Sequence, residues 1–361
     1  MYSMITQATF EERREKVRKL LSTYELCALF VSEPANRYYL SGFEMGDIHT
    51  YSVGGYVLIT KEGKDILFTD ARYEEAAYRI WDKQHVVLYS SSAQDIADYL
   101  SKNVQGAIGF EEYTMSVGFY NTLAKENSLV PADSLVPKVR AVKEESEIEL
   151  MKQSVNLNHM LMEQVENLFY EGVTEREIAW KIEQFYKNAG ASHLSFSSIV
   201  AFGKNSALPH YDPEEKGSVL HSNMPVLIDC GCVYHSYCSD QTRTFWFGDS
   251  PSKEYETTYA LVHEAQQKSI EGIRAGKTCH EIYMIAYEYF EQYGVAKYFT
   301  HGLGHGIGVA VHEDPRLRRN IMTPLEENMV VTVEPGLYYP EWGGVRLEYM
   351  VRVREDGCEI L

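Results

Sequence analysis

The chain has 361 residues, 34 basic and 52 acidic side chains for a formal net charge of −18, and 45% hydrophobic content with only 25 Gly and 11 Pro. That length holds two cored domains, and the composition reads as an ordinary globular chain. No stretch of 18 or more apolar residues occurs, which argues against a membrane partner, and the acidity argues against a nucleic-acid partner, which wants a basic face. Residues 1–140 carry 15 basic and 19 acidic side chains, leaving 19 and 33 for 141–361. The acidic second half suits cations, although a solvated surface explains most of its charge.

The start, MYSMITQATFEERREKVRKLL, lacks an apolar signal core and reads as an amphipathic helix. The six cysteines show no framework spacing, so reduced thiols and a cytoplasmic location are expected. Next come an apolar strand at Leu26–Val31 and a hairpin whose arms, Tyr56–Thr60 and Asp65–Thr69, flank a turn with Gly63. Helix is expected over Arg72–Trp81 and Ala93–Leu100, and strand over His85–Tyr89 and Ala107–Phe110. This alternation predicts an α/β domain over 1–133. Pro131 and Pro137 bracket a connector, taken as 134–145.

The second domain is expected over 146–361. Lys143–Tyr170 has helical spacing and stops at Glu171-Gly172, and Thr174 with Glu177 forms a capping box for the next helix. Beyond Phe196 strands and turns dominate, interrupted by helices near Lys253–Arg274 and His280–Tyr293, which makes the domain α+β.

Five metal-type side chains stand out in this half: Asp229, Asp240, His305, Glu334 and Glu348. Four carboxylates and an imidazole suit a pair of hard divalent cations, which can activate water against an amide. Asp229 and Asp240 lie on two apolar strands around a Gly- and Tyr-containing turn, so they can face each other across a hairpin. Either alone is equally an Asp bonded to turn amides. Glycine at every second position from Gly302 to Gly308 excludes a helix, so His301 and His305 are not a helical zinc pair. Those glycines let the backbone pass close to a crowded centre. Glu334 ends an apolar strand, Met329–Val333. Val345–Val353 alternates, which puts Arg346, Glu348 and Arg352 on one face, where Glu348 alone would read as a surface ion pair with its arginines. Cys230, Cys232 and Cys238 invite a zinc site with Asp229. The C-x-C-x5-C spacing and the strand alternation favour small core residues instead.

Asn205-Ser-Ala-Leu-Pro-His210, Asp229 through Thr244, His301 through Pro315, Thr332 through Tyr338 and Gly343 through Glu348 together resemble the metallopeptidases of the methionine aminopeptidase, Xaa-Pro aminopeptidase and prolidase group. Asn36 through Phe43 and Thr69 through Tyr73 look like the creatinase-type N-terminal domain of the proline-specific members. The resemblance covers essentially the whole chain. It implies an α/β domain of creatinase/prolidase N-terminal type followed by an α+β pita-bread catalytic domain. Within the latter, Asp229, Asp240, His305, Glu334 and Glu348 would hold two divalent cations about 3.5–4 Å apart. Mn²⁺ is the expected metal, with Co²⁺ or Zn²⁺ as alternatives.

The same resemblance makes Glu334 the general base and places His210 and His312 at the substrate carbonyl. It puts His301 against the proline ring, with Tyr338 and Arg346 as supporting residues. Arg316 matches a position near the substrate's C-terminal carboxylate, which would select dipeptides over longer peptides. The implied activity is hydrolysis of the Xaa-Pro bond of proline-containing dipeptides or short peptides by a homodimer, with His49 reaching a neighbouring subunit's site. The alternatives are an aminopeptidase on longer Xaa-Pro peptides, a metal-free creatinase-type hydrolase and a non-enzymatic binding module. Two residues depart from the pattern: Tyr349 stands where many relatives have Asp, and Cys232 where Ala is usual.

Overall fold

A computed structural model describes residues 5–43, 54–90, 92–213 and 217–361. It divides into two compact units between Arg140 and Ala141, inside the stretch expected as a connector.

In the first unit, α1 (Gln7–Thr23), β1 (Ala28–Val31) and α2 (Pro34–Ser41) lead into β2 (Gly55–Thr60) and β3 (Ile66–Thr69). Then follow α3 (Glu74–Ile80), β4 (Val86–Leu88), α4 (Ala93–Asn103), β5 (Ala107–Phe110), α5 (Val117–Leu123), β6 (Ser128–Pro131) and α6 (Leu135–Ala141). The strands form one mixed sheet in the order β4-β3-β2-β1-β5-β6. β1 pairs antiparallel with β2 and parallel with β5. Phe30, Leu58, Phe68 and Ile108 from this sheet pack with Ile96 and Leu100 of α4 and Leu123 of α5. Helix α2 went unread in the sequence, although Pro34 opens it, Glu33 caps it through the Asn36 amide and Gly42 closes it at φ 71°.

The second unit is built from two helix-on-sheet halves. In the first half, α7 (Glu145–Met162) and α8 (Glu175–Asn188) precede β7 (His193–Leu194), β8 (Ile199–Phe202), β9 (Met224–Cys230), β10 (Cys232–Tyr234), β11 (Tyr237–Cys238) and β12 (Gln241–Phe247). Ile178, Ile182 and Tyr186 of α8 pack on Val200, Val226 and Ile228. The helix expected to reach Tyr170 breaks after Met162 and resumes as a short 3₁₀ turn, Val165–Leu168. The Thr174–Glu177 capping box forms as expected.

In the second half, α9 (Lys253–Gly272) and α10 (Cys279–Gln292) cover a sheet of β13 (Gly304–Gly306), β14 (Glu313–Leu317), β15 (Val330–Val333), β18 (Tyr349–Val353) and β19 (Cys358–Ile360). Val262, Ile282 and Phe290 meet Leu317, Val331 and Val351 there. A two-stranded ribbon, β16 (Gly336–Tyr339) with β17 (Gly343–Arg346), lies between β15 and β18 in sequence.

Two local expectations change. β9 pairs with β12 so that Asp229 stands opposite Thr242, which leaves Asp240 diagonal to Asp229 instead of opposite it. A separate β10–β11 tip supplies the turn. Val345–Val353 is not one strand either: it breaks between β17 and β18 at Leu347-Glu348. The break separates Arg346 from Arg352, which bonds to Asn328 instead.

Candidate metal centre

The two halves of the second unit supply opposite sides of one site. From the first come Asp229 on β9 and Asp240 immediately before β12; from the second come His305 on β13, Glu334 just past β15 and Glu348 just before β18. All five line one cavity of about 490 Å³. Ligand-type atoms of Asp240, His305 and Glu348 lie within 4.8 Å of one another. His305 Nε2 is 3.6 Å from Asp240 Oδ2 and 3.4 Å from Glu334 Oε1.

Close strand approach explains the glycines. A Cβ on Gly304 would lie 1.9 Å from the Thr332 carbonyl oxygen, and one on Gly306 would lie 2.2 Å from that of Asp314. Only glycine lets β13 sit this near β15 and carry His305 into the centre. The His305 Nδ1–H donates to the Gly306 carbonyl at 3.0 Å, which leaves the Nε2 lone pair facing the carboxylates. Burial lowers its pKa to about 3, so the ring is neutral, the form a cation binds.

Glu348 is gripped from three directions. Its amide donates to the Thr242 carbonyl, Thr242 Oγ1 donates to its Oε2 at 2.8 Å, and Arg243 donates to its backbone carbonyl. The Arg243 guanidinium lies 4.2 Å above the Tyr349 ring, so the departure at 349 forms a cation–π stack beside this carboxylate. At 2% exposure Glu348 is no surface ion pair.

Asp229 Oδ2 accepts from Arg346 Nη2 at 2.8 Å, Arg346 Nη1 donates to the Tyr338 hydroxyl at 2.9 Å, and His301 Nε2 is 2.8 Å from that hydroxyl. Because His301 Nδ1–H donates to the Gly302 carbonyl, Nε2 accepts the Tyr338 proton. Burial, helped by the Arg346 charge, lowers the His301 pKa to about 4 and keeps the ring neutral.

The carboxylates lack sufficient protein partners. Asp229 Oδ1 and Glu348 Oε1 are buried without any hydrogen bond. Burial, then the neighbouring carboxylates, pushes Asp240 and Glu348 well above the usual carboxylate range. Burial and Asp229 raise Glu334 to about 7. Four crowded carboxylates face one paired arginine and a neutral imidazole. The arrangement fits divalent cations, which would satisfy the bare oxygens and cancel the repulsion. The three thiols offer no rival site. Cys230, Cys232 and Cys238 are buried, Cys230 Sγ accepts from the Tyr186 hydroxyl, and burial raises the Cys230 and Cys232 pKa values.

The remaining sequence-derived residues reach the same cavity. His210, His301, His312 and Arg316 line it, with His312 stacked edge-on to His305 at 4.4 Å, while Tyr338 stands behind His301 and Arg346. His49 lies outside the described residues. The sequence reading missed Thr242, Phe196, Ser198, Tyr211 and Arg318 around the site. Thr242 was findable, since it falls two residues after Asp240 on an alternating strand. Phe196 and Tyr211 sit in loops that carry no pattern.

This geometry defines a protein with a buried divalent-cation centre. Residues 149–355 match the Metallopeptidase family M24, to which the chain belongs, and residues 13–142 match the Creatinase/Prolidase N-terminal domain. The chain is 34% identical to the Xaa-Pro dipeptidase of Pyrococcus furiosus, over 97% of each protein. Its fold is similar to the Xaa-Pro dipeptidase structure from Bacillus anthracis, with a TM-score of 0.90 and 33% identity over 97% of each chain. It is also similar to the X-Pro aminopeptidase structure from Thermotoga maritima MSB8, with a TM-score of 0.85 and 32% identity over 96% of each. The fold is therefore the creatinase N-terminal domain joined to the pita-bread catalytic domain. Among the described residues no helix is long and apolar enough to cross a membrane.

Proposed function

We propose that the chain hydrolyses the Xaa-Pro bond of dipeptides, releasing the N-terminal residue and free proline, at a pair of Mn²⁺ ions held by Asp229, Asp240, His305, Glu334 and Glu348. The observation carrying this reading is the buried carboxylate excess around His305 Nε2, with two oxygens lacking any partner. When bound, the cations would supply Lewis acidity, polarising the scissile carbonyl and lowering the pKa of an attacking water.

The protein's own groups do the rest. Glu334 takes the proton of the attacking water and passes it to the leaving proline nitrogen. Thr332 Oγ1, 3.2 Å from Glu334 Oε1, orients that carboxylate. His210 and His312 donate to the carbonyl oxygen as it gains negative charge. Neutral His301, locked by Gly302 and Tyr338, presents a flat wall for the proline ring. Arg316, on the rim, holds the free carboxylate that a dipeptide places next to proline. A longer peptide has an amide there, which is why dipeptides are favoured over the longer substrates of an Xaa-Pro aminopeptidase. The six cysteines are all free, which accords with a cytoplasmic setting, and the homodimer is carried over from the family resemblance.

The test is release of the N-terminal residue, free Ala or Met, from Ala-Pro, Ala-Pro-Ala and Met-Ala-Pro after complete chelation and after Mn²⁺ re-addition. Ala-Pro should be cleaved only with metal and faster than the tripeptides. Undiminished activity after chelation would refute the reading, and a clear preference for Ala-Pro-Ala would move it to the aminopeptidase.

A further inference from the structure

Arg316 lies near the end of β14 and Arg318 just past it, and both line the cavity. Neither guanidinium has a hydrogen bond or ion pair among the described residues. A guanidinium facing a cavity without an acceptor is available to a ligand carboxylate.

The two arginines stand at different depths. Arg316 pairs across the sheet with His305, and its charge is felt at Glu334, His305 and His312. Arg318 lies further out. Its stem crosses Gly302, where a Cβ would come within 2.7 Å of Arg318 Cγ, and its charge is felt at His301. Gly302 thus leaves room for an arginine stem laid against the backbone that carries the proposed proline wall. Two strand residues advance about 6.8 Å, and one extended substrate residue about 3.5 Å, a difference that a flexible arginine arm covers.

We propose that Arg318 is a second carboxylate subsite on the C-terminal side of the scissile bond, one substrate residue beyond Arg316. Its ligand is the terminal carboxylate of an Xaa-Pro-Xaa tripeptide or an acidic side chain in the third position. The proposal rests on the Xaa-Pro reading above and widens it: dipeptides remain preferred, and anionic tripeptides become the next substrates.

The test compares kcat/KM for Ala-Pro-Ala, Ala-Pro-Ala-amide and Ala-Pro-Asp-amide on full-length, Mn²⁺-loaded wild type, Arg318→Ala, Arg318→Lys and Arg319→Ala. Each ratio is taken within one enzyme, so overall activity cancels. Wild type should prefer Ala-Pro-Ala or Ala-Pro-Asp-amide over Ala-Pro-Ala-amide by about tenfold, the size of one charge-assisted contact. Whichever anionic peptide shows that preference identifies the carboxylate's source. Arg318→Ala should reduce the ratio to near one through KM, Arg318→Lys should restore part of it, and Arg319→Ala, whose guanidinium stacks on Tyr287, should keep it. The subsite is refuted if wild type treats all three alike, leaves them all uncut while hydrolysing Ala-Pro, or keeps its preference in Arg318→Ala. Failure of wild type to hydrolyse Ala-Pro marks failure of the Xaa-Pro reading instead.

Discussion

Each unit buries a carboxylate under strong electrostatic demand, and the two solve the problem in opposite ways. In the first, Asp65 accepts from Arg14 and Arg18 at 3.0 Å and from the Thr60 amide at 3.1 Å, so charge and hydrogen-bond capacity are met by protein. Glu111 has only hydrogen bonds, from the Ser32 and Glu33 amides and Asn36 Nδ2, and burial still raises its pKa to about 7. In the second unit, Asp240, Glu334 and Glu348 crowd one another, and Asp229 Oδ1 and Glu348 Oε1 have no partner. Asp65, placed for structure, carries its counter-charge in the sequence. A carboxylate placed for chemistry leaves it to be supplied.

Several substitutions would sharpen or break that contrast. The largest expected effect is on turnover: Glu334→Gln should lower kcat by about 10³-fold, the usual scale of a lost general base, while leaving the folded state intact by circular dichroism. Unchanged kcat would remove Glu334 as the base. Next in size is stability. Asp65→Ala leaves the buried Arg14 without its ion-pair partner and Arg18 with only the exposed Glu15, and should cost about 3 kcal/mol in denaturant unfolding. Glu348→Gln, measured on chelated protein, should cost nothing or stabilise, because it relieves repulsion. If both variants lose stability alike, the distinction between the two clusters fails.

The smallest effect concerns pH. Burial raises Glu334 to about 7, so its contribution to the metal-free fold is complete below its ordinary range near 4.5 and lost as pH rises through 7. Cations favour the ionised form. The gap in Tm between Mn²⁺-loaded and chelated protein should therefore widen by several degrees between pH 5 and pH 8. A gap independent of pH would mean that these carboxylates do not hold the metal.

Much of this site was legible in the sequence because its residues sit in rigid frames. Apolar strand runs before Asp229 and Glu334 announce buried carboxylates, and the alternate glycines around His305 announce a backbone forced against its neighbours. What stayed hidden depends on long-range contacts. The diagonal placement of Asp240 follows from the β9–β12 register and the separate β10–β11 tip, and no local pattern fixes either. The break at Leu347-Glu348 was obscured by an unbroken alternation of residue types, although it is this break that turns Glu348 into the site and frees Arg352 for Asn328. Arg243 on Tyr349 joins residues more than a hundred positions apart. Helix α2 is different: Pro34, Glu33 and Gly42 were all readable, but its eight residues are too few for a periodic signal.

The central claim is that the unpaired carboxylates of the second unit exist to hold cations. Titration calorimetry of the chelated protein with Mn²⁺ at pH 7.5 tests it most directly. The account predicts two ions per chain for wild type and at most one for Glu348→Gln. No binding by wild type, or a full complement retained by Asp240→Asn/Glu348→Gln, would contradict it.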